Sequence, residues 1–393
     1  MSKLSKSTEI LHSGRVIRDF GMEPEALPCF LTTAFNMHGL ENVQNTYATK
    51  GWTYMRMRNP NRTSLAEMMT NLECGEESLI CTSGMAAISS TFLALLGPGD
   101  HVLCNSRVYG EVLPVMSEIM SKHGVEVTYV DFVDTENIRR AIRENTKMVY
   151  SEVFVNPTLA LVDLKTVAEI AHEHNALFMV DNTFTTPIAI RPLEWGADIV
   201  INSLTKFLNG HSDATGGSIT STKEICNRIN PISVLLGSPC DPFSCWLIYR
   251  GISTAHLRVP KQMRNAELLA NALREQKIVS RVDHPSVPDY PQKKLAESMF
   301  QNGYCAMLSF ELPEDDMEKI NQFMLALKLV PYAPTLGGLR TTISHPVTTS
   351  HSNVPDDIRR KMGITPGLIR VSVGLEDMDD IINDFVQAMK VFD

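Results

Sequence analysis

Several large classes of protein are excluded by what this sequence lacks. No apolar run approaches the roughly 18 residues that a membrane-spanning helix needs, and the N-terminal stretch MSKLSKSTEILHSGR has no apolar segment of the signal-peptide kind. The formal net charge is −9 at pH 7, so the chain has little attraction for nucleic acid or for an anionic membrane surface. These absences predict a cytoplasmic protein with neither a nucleic-acid nor a membrane partner.

Signatures of metal and dinucleotide sites are also missing. The eight cysteines form no C-x-x-C pair, and some of them, such as Cys81 and Cys104, lie in apolar runs where a reduced thiol is expected to be buried. The one metal-like cluster, His172–His174, lies on a predicted helix, where side chains two positions apart point about 200° apart. No G-x-G-x-x-G follows a predicted strand, which argues against a nicotinamide-dependent oxidoreductase. We therefore predict reduced thiols and no metal.

The pattern of apolar residues divides the chain into three parts. Residues 1–60 have no sustained periodicity and are predicted to form an arm. Residues 61–255 alternate helical runs with near-continuous apolar strands, which indicates an α/β domain with a mostly parallel sheet buried on both faces. Its first helix is predicted to open with a capping box formed by Ser64 and Glu67. Residues 256–393 are predicted to form a smaller α+β domain.

Polar side chains collect where the apolar strands end. They are Asp181 at the end of one strand, Ser203, Thr205 and Lys206 after the next, and Ser83, Gly84 and Met85 at the start of an apolar helix. Ligands of α/β sheets bind at the carboxyl ends of strands, and a helix N-terminus favours a phosphate. An amine that can bond to an aldehyde, a phosphate site and a carboxylate for a ring nitrogen together indicate pyridoxal 5′-phosphate. Taken singly, the lysine could be a surface residue and the aspartate a turn residue.

Ordered motifs along almost the full length carry a resemblance to a known family. They are YMRMRNPNRTSLAE, CTSGMAAIS, VYGEV, NPTLALVD, DNTFTTPIAIRPLEWGAD, SLTKFLNGHSD, LGGLRTTISHPVTTSHSNVP and GITPGLIRVSVGLEDMDDII. Together they are similar to the motifs of the Cys/Met-metabolism family of pyridoxal-phosphate enzymes. The resemblance implies the fold type I of these enzymes, which is aspartate-aminotransferase-like, and a homotetramer built from two catalytic dimers.

The resemblance also implies a role for each matching residue. Lys206 would bond to the cofactor and move protons among Cα, Cβ and Cγ of the substrate, while Tyr109 would stack on the cofactor ring and help protonate the leaving group. Arg370 would bind the substrate α-carboxylate as a bidentate fork, with Thr335 beside it. The remaining implied contacts are Asp181 at the ring nitrogen, Asn156 near the 3′ oxygen, Ser83, Gly84, Met85, Ser203 and Thr205 at the phosphate, and Tyr54 and Arg56 at the phosphate of a neighbouring subunit.

Glu111 is the first of three departures from the family pattern. Many members have glycine two residues after the stacking tyrosine, and methionine γ-lyases have cysteine there. On an extended backbone Glu111 would face the same space as Tyr109 and would favour a cationic or hydrogen-bond-donating γ-substituent. Alternatively, its charge stabilises the N-terminus of the helix predicted to follow it.

The other two departures concern Pro334 and Arg58. Pro334 stands where cystathionine-cleaving members carry an acidic residue, and Leu113 and Pro114 follow where many cystathionine enzymes keep an arginine. A substrate with a distal amino-acid group therefore has no obvious partner. Arg58 replaces a small residue of the relatives, and nothing in the sequence explains it.

The resemblance implies a γ-lyase similar to methionine γ-lyase. Its reaction would be α,γ-elimination, or γ-substitution, on an L-homoserine-type amino acid with a γ-heteroatom leaving group. The alternatives are a γ-lyase for a guanidino substituent, as in canavanine, and a transferase of the O-acetylhomoserine sulfhydrylase or cystathionine γ-synthase type. A non-enzymatic binding protein on the same fold is a third possibility, which the intact set of Lys206, Asp181 and Arg370 argues against.

Overall fold

Two β-sheets organise the chain in the computed structural model, which describes residues 5–14, 24–313, 316–352 and 354–393. The arm predicted over residues 1–60 therefore lies partly outside the described residues. Within the described ranges, no helix is both long and apolar enough to cross a membrane. The same ranges bring no group of three metal-binding side chains together.

The larger sheet has seven strands. They are β1 (Glu77–Cys81), β2 (His101–Asn105), β3 (Glu126–Val130), β4 (Thr146–Glu152), β5 (Leu177–Asp181), β6 (Ile199–Ser203) and β7 (Gly217–Ser221). Their order is β1-β7-β6-β5-β4-β2-β3, and all neighbouring pairs are parallel except those that β7 makes with β1 and β6. The sequence predicts this mostly parallel sheet correctly but misses β7, whose residues GSITS lack the apolar run of a typical buried strand.

The smaller sheet has four antiparallel strands. They are β8 (Arg281–Asp283), β9 (Met307–Glu311), β10 (Thr342–Ser344) and β11 (Leu368–Ser372). Their order is β10-β11-β9-β8. All strands of the larger sheet precede residue 255 in the sequence, and all strands of the smaller sheet follow it. This arrangement confirms the fold class predicted from the sequence.

Helices cover both sheets. They are α1 (Lys6–His12), α2 (Leu40–Ala48), α3 (Pro60–Glu73), α4 (Gly84–Leu95), α5 (Val112–Pro114), α6 (Thr135–Ala141), α7 (Leu164–Glu173), α8 (Thr186–Ala189), α9 (Lys223–Leu235), α10 (Pro242–Ile252), α11 (Ala255–Arg274), α12 (Lys293–Met299), α13 (Met317–Ala326), α14 (Asp356–Lys361) and α15 (Met378–Met389). A π-helix over Val115–Met120 continues α5. Short 3₁₀ helices cover Ser121–His123, Pro192–Trp195, Pro346–Thr348 and Lys390–Phe392.

The start of α3 corrects the sequence prediction. The helix begins at Pro60, four residues before the predicted capping box, and the side chain of Asn59 accepts a hydrogen bond from the Asn61 N–H. Asparagine is a preferred N-cap, and proline suits the first helical position because its missing N–H is not needed there. Ser64 therefore lies inside the helix, where it is buried.

Glu73, the last residue of α3, connects the ends of the neighbouring strands β5 and β6. Its Oε1 accepts hydrogen bonds from Nδ2 of Asn182 at 3.0 Å and from Nδ2 of Asn202 at 2.7 Å. Asn182 directly follows β5, and Asn202 lies next to the last residue of β6. Burial raises the pKa of the Glu73 carboxyl from its usual 4.5 to about 7. This helix end therefore ties the strand of Asp181 to the strand of Ser203.

The raised pKa of Glu73 predicts how stability depends on pH. Between pH 4.5 and 7 the folded state holds a proton on Glu73 that the unfolded state has released, so this group makes the free energy of unfolding fall as pH rises. Glu73→Gln removes the effect. We therefore expect the free energy of unfolding of the variant, relative to that of the wild type, to increase by up to about 3 kcal/mol from pH 5 to pH 8. Urea unfolding at both pH values measures this difference. Glu67→Gln, at an exposed position of α3, is the matched control, and a Glu73→Gln difference that stays constant with pH would contradict the assignment.

Candidate active site

A cavity of about 530 Å³ opens at the carboxyl edge of the larger sheet, where it faces β11. Twelve predicted site residues line it: Ser83, Gly84, Met85, Tyr109, Glu111, Asn156, Asp181, Ser203, Thr205, Lys206, Thr335 and Arg370. The parallel strands explain this convergence, because Glu152, Asp181 and Ser203 each end a strand at the same edge of the sheet.

Tyr54 and Arg56 lie outside the cavity of their own chain. Tyr54 is 47% exposed, and the Arg56 guanidinium lies 5.9 Å from the centroid of its ring. The guanidinium of Arg62 fixes this segment by donating to the main-chain oxygens of Met55 at 2.8 Å and Arg56 at 3.2 Å. Contact of Tyr54 and Arg56 with a neighbouring subunit remains a prediction.

One end of the cavity is suited to a phosphate group. The Oγ of Ser83 caps α4 by accepting a hydrogen bond from the Ala86 N–H at 3.0 Å. The geometry of a first helical turn leaves the N–H groups of Gly84 and Met85 without helical partners. A Cβ on Gly84 would lie 3.0 Å from the Cβ of Ser203, so the backbone approaches this strand end closely. N–H donors, hydroxyls and the positive end of a helix dipole thus meet here.

Asp181 lies deep in the same cavity. Burial raises the pKa of its carboxyl to about 6, and hydrogen bonds from Thr183 oppose that shift. Among the described residues it has no ion-pair partner. A protonated ring nitrogen would supply the missing positive charge, so Asp181 fits the pyridine end of pyridoxal phosphate.

Lys206 follows β6 and lines the cavity. Burial lowers the pKa of its amine, and the positive charge of Arg370 lowers it further. In the described part of the chain the amine has no hydrogen-bond or ion-pair partner. A lysine with a lowered pKa is neutral more of the time and is therefore a better nucleophile towards an aldehyde.

Arg370, in the middle of β11, faces Lys206 across the cavity. Its guanidinium donates to Oδ1 of Asn156 at 2.9 Å and to the main-chain oxygen of Thr335 at 3.3 Å. Burial lowers its pKa to about 10, so it stays cationic at neutral pH. Its Nε has no hydrogen-bond partner within the described structure, and none of the described carboxylates pairs with it. A buried cation in this state is suited to a substrate carboxylate.

Glu111 lines the cavity directly after the turn that carries Tyr109. Burial raises the pKa of the Tyr109 hydroxyl, and the charge of Glu111 raises it further, so the two groups share one region of the cavity. Glu111 precedes α5 but makes no side-chain capping hydrogen bond with it. A Cβ on Gly110 would lie 2.3 Å from the main-chain oxygen of Ser350, which places the loop of Ser350 against this turn.

Glu152 and Thr183 are cavity residues that the sequence analysis misses. Glu152 ends β4, and its two oxygens accept the N–H groups of Tyr109 at 2.6 Å and Asn156 at 3.0 Å. Burial and then the charge of Asp181 raise its pKa to about 8. Thr183 donates to Oδ1 of Asp181 through its N–H and accepts from the Ser203 N–H. The rule that polar residues at strand ends line the site could have predicted both residues. Glu152 pairs in register with Asp181, and Thr183 lies two residues after Asp181.

The two remaining departures from the family pattern have different positions. Pro334 lines the cavity. Arg58 lies outside it and donates to the main-chain oxygen of Lys50 at 2.8 Å. Arg58 therefore fastens a turn of the arm and does not reach the candidate site of its own chain.

Comparisons with known proteins identify the family of this chain. The chain matches the family of Cys/Met metabolism PLP-dependent enzymes over residues 7–390. It is 39% identical over 340 residues to cystathionine beta-lyase MetC of Bacillus subtilis, covering 86% of each chain. It is 38% identical over 389 residues to L-methionine gamma-lyase of Porphyromonas gingivalis, covering 98% of this chain and 96% of the relative. Its fold matches cystathionine gamma-lyase from Lactobacillus plantarum complexed with L-serine with a TM-score of 0.92, 31% identity and 99% coverage of both chains. The chain therefore belongs to the Cys/Met metabolism family and is a pyridoxal-phosphate-dependent lyase.

Proposed function

We propose that this enzyme is a γ-lyase for an L-homoserine-type amino acid that carries a heteroatom at Cγ. Elimination followed by hydrolysis gives 2-oxobutanoate, ammonia and the released γ-group. The observation that carries the proposal is the convergence of three groups on one cavity: a buried amine, a tyrosine hydroxyl and a guanidinium that has no carboxylate partner among the described residues. The methionine γ-lyases among its relatives support the same reaction.

Each of these three side chains has a distinct task in the reaction. Pyridoxal phosphate, when bound, withdraws electrons from the bonds at Cα. Arg370 binds the α-carboxylate. Lys206 removes the proton from Cα, would pass it to the bound cofactor, and, as a neutral amine again, removes one from Cβ, because its flexible stem reaches both carbons. The bond from Cγ to the heteroatom then breaks with its electron pair going to the heteroatom, which takes a proton from the Tyr109 hydroxyl.

The proposal extends to the cofactor contacts and to the assembly. Asp181 pairs with the ring nitrogen, Asn156 lies near the 3′ oxygen, and the residues at the start of α4 and the end of β6 hold the phosphate. We further infer a cytoplasmic homotetramer in which Tyr54 and Arg56 complete the phosphate site of a neighbouring subunit. The exposure of Tyr54 supports this inference.

Lys206→Ala tests the proposed covalent role of the lysine. We expect the variant to lose the visible absorption band of the bound cofactor, and its turnover to fall at least 10³-fold. Borohydride treatment, which links the cofactor covalently to the wild type, should add no cofactor mass to the variant. Absorption spectra and mass spectrometry of the reduced protein measure these changes. Lys165→Ala, on α7 and away from the cavity, serves as the control. Retention of the band and of the added mass in Lys206→Ala would remove the assignment.

A second candidate substrate class is favoured by Glu111. Once Asp181 faces the ring nitrogen and Arg370 faces the α-carboxylate, Glu111 is the exposed carboxylate beside Tyr109 that lines the cavity and has no ion-pair partner among the described residues. The sulfur of methionine is only a weak hydrogen-bond acceptor and cannot donate to a carboxylate, whereas a guanidinium can donate two parallel N–H groups. A γ-guanidinooxy amino acid such as canavanine satisfies this requirement and would release hydroxyguanidine. Thiol-dependent γ-substitution, as in O-acetylhomoserine sulfhydrylase or cystathionine γ-synthase, is the remaining alternative.

Steady-state kinetics on methionine, O-acetylhomoserine and canavanine tests the role of Glu111. Glu111→Gln removes the charge and keeps the size of the side chain. A hydrogen bond to a charged group contributes about 1.5–3 kcal/mol, so we expect kcat/KM for canavanine to fall about 10- to 100-fold. The values for the two uncharged side chains are expected to stay within about threefold or to rise.

The matched control is Glu118→Gln, an exposed residue on the π-helix that follows α5. It carries the same substitution outside the cavity and should leave all three values unchanged. If Glu111→Gln leaves the preference among the three substrates as in the wild type, the cationic class is excluded. Release of 2-oxobutanoate from methionine or O-acetylhomoserine would still support the γ-lyase itself.

A further inference from the structure

Helix α11 carries a row of buried polar side chains between the two sheets. Arg258, Gln262 and Asn265 are spaced by four and three residues, so they share one face of the helix, and none is more than 7% exposed. Apart from one bond from Arg258 to Thr254, every hydrogen bond that they donate goes to a main-chain oxygen. We call these three side chains the carbonyl-binding face of α11.

Arg258 holds the segment that directly follows Lys206. Its guanidinium donates to the main-chain oxygens of Phe207 at 3.0 Å, Leu208 at 2.9 Å and Asn209 at 3.2 Å. A fourth bond, to the oxygen of Gly251 at 2.8 Å, ties the same group to the end of α10. One planar cation therefore fixes three successive peptide groups beside the catalytic lysine.

Gln262 holds the two segments around Arg370. Its Nε2 donates to the oxygen of Gly338 at 2.8 Å, in the loop that follows Thr335, and to the oxygen of Val373 at 3.1 Å, just past the end of β11. Asn265, one turn further along, donates to the oxygens of Gly374 at 2.9 Å and Glu376 at 3.0 Å. Gln262 and Asn265 thus fix the strand of Arg370 and the loop that accepts its hydrogen bond.

The segments held by Arg258 and Gln262 also touch each other. A Cβ on Gly337 would lie 2.4 Å from the Phe207 nitrogen and 2.7 Å from the Lys206 carbonyl carbon, so the loop packs against the lysine backbone. The positive φ of +80° at Gly337 allows this close approach. The lysine segment and the carboxylate-binding loop therefore form one packed unit on α11.

We propose that Arg258 and Gln262 are positioning residues that set the separation between Lys206 and Arg370. This inference rests on the roles proposed for those two residues. The substrate Cα, whose proton goes to Lys206, is bonded directly to the carboxylate that Arg370 binds. A relative shift of about 1 Å between the two groups can cost about 100-fold in rate. Because the lysine follows a strand of the larger sheet and the arginine lies on a strand of the smaller one, a rigid helix that bonds to both segments keeps the distance between them fixed.

Glycine and methylamine together test the part of the inference that concerns Gln262. Both bind through an amine, but only glycine has the carboxylate, so the ratio of their dissociation constants isolates the carboxylate contact. The absorbance of the bound cofactor reports both constants on the intact holoenzyme. Gln262→Met removes two N–H donors and keeps the side chain nearly the same length. We expect the dissociation constant of glycine to rise about tenfold while that of methylamine changes less than twofold.

Matched variants separate this effect from general damage and from failure of the proposed function. Gln276→Met, just past the end of α11, carries the same substitution and should leave both constants unchanged. If Arg370→Leu removes the preference for glycine and Gln262→Met does not alter it, only the positioning role is overturned. If Arg370→Leu retains the preference, the proposed role of Arg370 itself fails.

Arg258→Lys tests the part of the inference that concerns Arg258. It also keeps the inference testable if Gln262→Met does not fold. Lysine keeps the charge but cannot reach several carbonyls with one planar group. We expect kcat to fall about tenfold while the ratio of the glycine and methylamine constants stays as in the wild type. Arg264→Lys, exposed on the same helix, is the control. A wild-type kcat in Arg258→Lys, with the fold intact by its thermal midpoint, would overturn the inference.

Discussion

Charges that are buried without a partner of opposite sign are the constraint on which this site depends. Lys206, Asp181 and Arg370 all face one cavity, and within the described residues none of them has an ion-pair partner. Burying a charge in this way is costly unless a bound molecule takes it up. The lowered pKa of the lysine and the raised pKa of the aspartate express that cost. A cofactor with an aldehyde and a ring nitrogen, together with a substrate carboxylate, would satisfy all three groups.

The scaffold turns this constraint into a defined geometry. Parallel strands end at one edge, so Glu152 and Asp181 pair in register and Ser203 follows on the next strand. Glu73 bonds to asparagines beside two of these strand ends, and Glu152 accepts the N–H groups of Tyr109 and Asn156. These two buried carboxyls therefore hold Tyr109 and Asn156 themselves and the neighbours of Asp181 and Ser203 in place.

In the proposed function, substrate choice rests on fewer residues than cofactor binding. The proposed phosphate and ring contacts come from strand ends and a helix N-terminus. Glu111, Pro334 and Ser350 also line the cavity, and they come from irregular segments. Changes in such segments alter the charge of the cavity without disturbing the sheet, so one scaffold can serve different leaving groups.

By itself, the sequence determined the cofactor, the mostly parallel sheet and the twelve predicted residues that line the cavity. Those features follow from local patterns: apolar strands, polar residues at their ends and motifs of fixed spacing. Tertiary structure alone decided the contacts of Glu73, Arg258 and Gln262. Glu73 accepts hydrogen bonds from asparagine side chains that are distant in sequence, and Arg258 and Gln262 donate to main-chain oxygens that are distant in sequence, so none of the three has a local signature. Helix α3 begins after Asn59, which caps it, and not at the predicted capping box. Strand β7 forms because it pairs with β1 and β6. The position of Glu111, which both precedes α5 and lines the cavity, likewise depended on the turn that carries it, since extended and helical backbones were both compatible with its sequence.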